Sequence, residues 1–96
     1  MIISEVKVLP VDGSDKLKAF VTIKIEDSLI IRDMKIIKGT GGLFVAMPAK
    51  RMKDGTYWDL VHPLDKGTRE MLEEKVLDEY KRVCKEVKVA KREDSA

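Results

Sequence analysis

Hydrophobic and polar positions alternate with a period of two through the first two thirds of the chain. From Ile2 to about Leu9, Val6 and Val8 fall on one side and Glu5 and Lys7 on the other. Leu17, Ala19, Val21, Ile23 and Ile25 then form one face of a second segment whose opposite face carries Lys18, Thr22 and Lys24. Such alternation is the mark of half-buried β-strands, because successive strand side chains point to opposite sides of a sheet. The run Asp12-Gly13-Ser14-Asp15 separates the two segments as a turn. Glu26-Asp27-Ser28 is a tight polar break before a third strand from Leu29 to about Lys38, and the lack of a Gly after Asp27 leaves its turn type open. Gly39-Thr40-Gly41-Gly42 leads into a short apolar strand at Leu43 to Met47. After Pro48, a polar loop from Ala49 to Thr56 contains the turn pair Asp54-Gly55, and a fifth strand follows from Tyr57 to Val61.

Beyond these strands the period changes to 3.6. Leu72, Val76, Tyr80, Val83 and Val87 recur at steps of three and four and make one apolar stripe of an amphipathic helix. Asp65 or Thr68 is placed to cap its first turn. Glu70, Glu73 and Glu74 come early and Lys81, Arg82, Lys85 and Lys88 late, the order that the helix dipole favours. The pattern predicts an α+β fold: a five-stranded antiparallel meander followed by a C-terminal helix, in one domain over residues 1–88. No apolar pattern continues through 89–96, which reads as a flexible charged tail.

Composition narrows the setting. Ninety-six residues supply one core, and a margin that dimerisation would improve. Cys84 is the one cysteine and has no internal disulfide partner, which fits a reducing cytoplasm. No basic leader precedes a long apolar run, and no run reaches the roughly 20 apolar residues that a membrane span needs. A cytoplasmic protein without membrane insertion is the expectation.

Reactive groups are sparse. His62, the one histidine, lies next to Pro63 at a strand end and reads as structural. With Cys84 it makes only two of the three protein ligands a catalytic zinc needs, so neither metal nor cofactor is expected. Cys84 falls beside the helical stripe, where burial as a small hydrophobe suits it. The Gly39 to Gly42 cluster precedes a strand, whereas a phosphate-binding glycine loop opens a helix, so it reads as a plain turn. No catalytic residue is assigned, and no enzyme is expected.

Charge is more informative in its distribution than in its sum. The chain holds 19 basic and 17 acidic residues, yet the stretch from Ile31 to Trp58 has six basic residues against two acidic, a surplus of four. Lys50, Arg51 and Lys53 concentrate it in the loop after Pro48, where projecting cations can reach phosphates. Lys66, Thr68 and Arg69 stand at the helix start, beside backbone amides suited to a phosphate oxygen. Tyr57 and Trp58 point to opposite sides of their strand, so only one can be core, leaving the other free to stack.

The run Gly42-Leu43-Phe44-Val45-Ala46-Met47-Pro48-Ala49-Lys50-Arg51 resembles the signature of the SpoVG (stage V sporulation protein G) family. Asp54-Gly55, Asp59, His62-Pro63 and Gly67-Thr68-Arg69-Glu70 continue the resemblance at the family's spacing, and Leu77, Glu79 and Tyr80 match its helix. Ala49 departs from the family's usual small polar residue and Met52 from a common Thr. The closing residues are mixed and basic-leaning where the family's tail is acidic. The resemblance implies a dimeric α+β regulator that binds DNA and also RNA, linked to septation and sporulation. It maps the family's Lys-Arg pair onto Lys50 and Arg51, and the start of its helix onto Gly67 to Glu70. The candidate nucleic-acid-binding residues are therefore Lys50, Arg51, Lys53, Lys66, Thr68 and Arg69. In this reading Lys50, Lys53 and Lys66 contact phosphates while Arg51 and Arg69 read bases. The chain has no Asn or Gln, the residues that pair bidentately with adenine, so readout should lean toward guanine. The competing expectation is a protein-interaction module of the division machinery, whose basic loop meets an acidic partner.

Overall fold

The computed structural model describes the backbone from Met1 to Ser95 and the side chains up to Lys85. Four strands, β1 (Ile3–Pro10), β2 (Leu17–Ile25), β3 (Leu29–Gly39) and β4 (Gly42–Ala46), form one antiparallel sheet in sequential order. A six-residue loop joins β1 to β2 and tight turns join β2 to β3 and β3 to β4, so every strand pairs with its chain neighbour. Two further strands, β5 (Ala49–Arg51) and β6 (Tyr57–Asp59), pair only with each other. A long helix, α1 (Lys66–Ser95), closes the described chain.

The α+β class therefore holds, but the five-stranded meander does not. The expected fifth strand is β6, and it belongs to a separate two-stranded sheet. The first three residues of the expected loop from Ala49 to Thr56, Ala49–Arg51, are strand as well, and β6 ends at Asp59 rather than Val61. Pro48 explains the break, because it has no N–H to donate to a continued ladder. The residues after it, Ala49-Lys50-Arg51, offer no apolar face that joining the sheet would bury. Pairing with the nearby β6 satisfies their backbone locally instead.

One side of the four-stranded sheet carries the core. Ala19, Val21 and Ile23 of β2, Met34 and Ile36 of β3, and Val45 of β4 are buried there, with Ile3 and Val8 of β1. The helix packs mainly on β1 and also on β4, laying Leu72 and Val76 onto this surface, with Tyr80 and Val83 half-buried beside them. The helical stripe is thus as expected up to Val83; Val87 and the proposed tail over 89–96 have side chains outside the described residues. Each fully buried Ile or Val contributes roughly 1.5–3 kcal/mol, so this single layer supplies most of the apolar stabilisation. Among the described residues no polar side chain is buried.

Bulges reshape the sheet. Between Val21 and Ile23 of β2 the partner strand inserts an extra residue, and Asp33 takes a left-handed φ of 63° there. The β2–β3 turn is of type I′, with Glu26 and Asp27 both left-handed (φ 52° and 54°) and the Ser28 N–H bonded to the Ile25 carbonyl at 3.0 Å. No glycine eases it. The start of β1 does instead: Ile2 O accepts the Glu26 N–H at 2.8 Å, and Ser4 Oγ accepts the Asp27 N–H at 3.0 Å.

Candidate nucleic-acid interface

The hairpin of β5 and β6 is held by its own backbone and turn. Leu60 donates to the Pro48 carbonyl at 2.7 Å, closing its open end. At its tip the Met52 N–H bonds to Thr56 O at 2.8 Å, and the Gly55 N–H, with φ of 89°, to Met52 O at 3.0 Å. Asp54 Oδ1 accepts both the Thr56 hydroxyl at 2.6 Å and the Thr56 N–H at 3.0 Å. The hydroxyl bond first, then the amide bond, holds the Asp54 carboxyl below its ordinary value.

Register fixes where the cations point. Lys50 lies opposite Trp58, Arg51 opposite Tyr57, and Ala49 opposite Asp59. Directly opposed residues share a side of a sheet, so Lys50 and Trp58 occupy one face and Arg51 and Tyr57 the other. The sequence pairs Lys50 with Arg51, but the hairpin sends them to opposite faces. Both aromatic residues are exposed, Tyr57 by 68% and Trp58 by 65%, so neither is core. The exposed apolar run continues through Leu60 and Val61 to Leu64.

The helix start stands beside the hairpin, and Asp65 is its cap. Its Oδ1 accepts the Thr68 N–H at 2.6 Å and its Oδ2 the Thr68 hydroxyl at 3.1 Å. These bonds hold the Asp65 carboxyl below its ordinary value, the amide bond contributing most. The carboxylate occupies the amide that a phosphate oxygen would use at Thr68. The first turn holds no acid; Glu70 and Glu73 lie farther along and approach Lys66 and Arg69 at 3.7 and 4.0 Å.

Of the six expected site residues, Lys50, Arg51 and Lys53 share the hairpin and are exposed. Arg69 joins them: it lines a groove of about 400 Å³ with Tyr57, Trp58, Asp59 and His62. It also borders a larger groove of about 650 Å³, with Tyr57 on the hairpin and Lys35 and Phe44 on the sheet. Lys66 and Thr68 line neither groove. Lys35 and Phe44 were absent from the sequence reading of the site. Their signal was present in strand parity, since Lys35 lies between the buried Met34 and Ile36 and so faces the opposite side.

His62 is exposed rather than packed in the core, its Nδ1–H directed at Pro63 O at 3.0 Å. Cys84 lines a different groove with Tyr80 and is half-buried. Burial first, then the neighbouring Cys84, pushes the Tyr80 phenol above its ordinary value. His62 and Cys84 thus form no shared pocket. The Gly39–Gly42 stretch is the β3–β4 turn, as its strand context indicated. Among the described residues no helix is long and apolar enough to cross a membrane.

A small α+β domain that seats a helix on one side of a four-stranded sheet and extends a cationic two-stranded ribbon beside the helix start defines the class. The chain belongs to the SpoVG family, whose model matches residues 1–82. It is 55% identical over 82 residues to "Putative septation protein SpoVG" of Anaeromyxobacter sp. (strain Fw109-5), covering 85% of this chain and 84% of that one. The identically named proteins of Myxococcus xanthus and Clostridium perfringens are 54% and 39% identical over 82 and 83 residues. These alignments cover 85% and 86% of this chain, and 82% and 92% of the relatives.

Proposed function

We propose that this chain is a non-enzymatic, cytoplasmic nucleic-acid-binding regulator, linked through its family to septation and sporulation, that binds RNA as well as DNA and engages duplex DNA through the β5–β6 hairpin and Arg69. The observation that carries this reading is the hairpin itself. Its cations lie on both faces of a ribbon that buries no side chain, and among the described residues none of Lys50, Arg51 and Lys53 has an ion-pair partner. A major groove admits a two-stranded ribbon and is walled by phosphates on both sides. Lys50, on one face, would meet one wall, and Arg51, on the other, a base edge beside the opposite wall, with Lys53 at the tip. Arg69, beside Tyr57, adds a cation at the hairpin's base, whereas Lys66 and Thr68 serve as outlying phosphate contacts at most.

The exposed run Tyr57, Trp58, Leu60, Val61 and Leu64 favours a protein contact, and we assign it to a second copy of the chain. Pairing there would present two hairpins at a fixed spacing, as half-site recognition requires. The same run supports the second reading, a module that docks on a division protein.

Fluorescence anisotropy on mixed-sequence DNA and RNA at two salt concentrations separates these readings. Lys50→Ala/Arg51→Ala should abolish most duplex binding and reduce the salt slope by about two. If the wild type binds neither polymer, or the variant binds as well as the wild type, the interaction-module reading takes its place. Site selection should enrich guanine, since no Asn or Gln is available to read adenine.

A further inference from the structure

The helix covers one face of the four-stranded sheet, and the other face is open. We infer that this open face is a second nucleic-acid surface, built for a single strand rather than a duplex. It is formed by residues of the opposite parity to the core. In one cross-strand row Leu9, Phe20, Lys35 and Ala46 follow one another across β1 to β4, and in the next Ile37 of β3 is paired with Phe44 of β4. Phe20 and Phe44 remain 41% and 44% exposed although they sit in the middle of strands. The Phe44 ring is seated over Gly39, where an added Cβ would come within 3.1 Å of its Cε1. It is therefore a placed ring rather than a loose one.

Cations share this face with the rings. Lys7, Lys24 and Arg32 line a shallow depression of about 310 Å³ on the same face, with Glu5 the one acid among its lining residues. Glu5 is taken up by Lys24 at 3.0 Å. Lys35 stands directly opposite Phe20. A surface that interleaves flat rings with positive charge matches a polymer of exposed bases and phosphates, because bases stack on aromatic faces while cations track the backbone. A duplex hides its base faces and offers a broad sheet no groove to enter. A second copy is a poor occupant, because a two-fold contact would set the cations of this face against themselves. Phe20 and Phe44 are two strand spacings across and one side-chain repeat along, roughly 12 Å apart. The groove that runs past Lys35 and Phe44 to Tyr57 and Arg69 extends the path toward the hairpin; Asp33 and Asp59 also line it, so it adds ring and apolar surface rather than net positive charge.

The inference rests on the sheet's own residues and stands whether or not the hairpin binds duplex. The test is anisotropy with labelled oligo(dT) and oligo(rU) beside a duplex, on the full chain, with the fold checked by circular dichroism. Phe20→Leu/Phe44→Leu keeps the apolar bulk and removes the ring faces; it should weaken single-strand binding by about tenfold or more and leave duplex binding unchanged. Lys7→Gln/Arg32→Gln, both exposed, should weaken single-strand binding and lower its salt slope. Lys50→Ala/Arg51→Ala should do the reverse, losing duplex while keeping the single strand. Single-strand affinity that survives both sheet variants overturns the inference. So does a Phe20→Leu/Phe44→Leu protein that binds the strand normally but no longer dimerises, which would give the face to a second copy.

Discussion

In β2 every second residue is removed from water, with Ala19, Val21 and Ile23 at most 2% exposed, whereas all six residues of β5 and β6 are exposed. Both regions are antiparallel, and both carry Lys beside aromatic residues. They differ in what holds them. The sheet is held by burial against α1, which is costly to disturb and silent about ligands. The hairpin is held by a few turn hydrogen bonds and by Leu60 on Pro48, so its side chains are free to be chosen for what they meet. A strand that stabilises nothing can be tuned for binding without unfolding the domain.

The sharpest way to break this contrast is in the core. Ile36→Ala empties a fully buried site and should cost about 2–5 kcal/mol, a large part of the ~5–15 kcal/mol that holds a domain together. Thermal melting should drop by roughly 10 °C or more. A shift of only a few degrees would mean that the sheet face does not carry the fold. Lys50→Ala/Arg51→Ala should leave stability within about 0.5 kcal/mol while removing duplex binding. If its melting temperature collapses too, the hairpin is structural and the contrast fails.

Acid offers a finer separation. The carboxyls of Asp54, Asp65 and Glu79 all lie below their ordinary values, the last through its hydrogen bonds to Arg82 at 2.6 and 2.8 Å. A carboxylate that the folded state favours stabilises it fully above the ordinary values of 3.8 and 4.5, and that stabilisation is lost as pH falls through the lowered folded values. Stability should therefore decline below about pH 4. Trp58, the chain's one tryptophan, is on β6 and reports on the hairpin by fluorescence, while far-ultraviolet dichroism reports on α1. Asp54→Ala should flatten the acid transition seen by Trp58, and Asp65→Ala the one seen in the helix. Transitions that move together in both variants would show the two regions to be one cooperative unit. The smallest effect is expected at the β2–β3 turn. Glu26→Asn/Asp27→Gly supplies the residues that a type I′ turn prefers and should stabilise the protein by under about 1 kcal/mol, read by denaturant unfolding. No gain would mean that the bonds from Ile2 and Ser4 already offset the strain.

Much of the fold was legible because it obeys local rules. The parity of Ala19, Val21 and Ile23 fixed which side of β2 is core, and the three-and-four spacing of Leu72 and Val76 placed the helix. The Asp65 cap was one of two candidates, and only geometry chose it. The fate of β5 was not legible, because Ala49-Lys50-Arg51 has no apolar alternation and its pairing depends on where Pro48 releases the chain. Nor did the tight spacing of Lys66, Thr68 and Arg69 show that Asp65 would occupy the Thr68 amide, or that Arg69 alone would reach the hairpin.

By itself the sequence determined the α+β class, the strand faces, the helix and, through the run from Gly42 to Arg51, the family. Those are properties of neighbours along the chain, where period and turn chemistry act directly. Only the tertiary structure decided that β5 and β6 leave the sheet, that Lys50 and Arg51 point apart, and that Phe20, Phe44 and Lys35 share an uncovered face. Each of these depends on which strands pair and on what covers them, and a linear pattern records which side a residue faces but not what, if anything, lies against it.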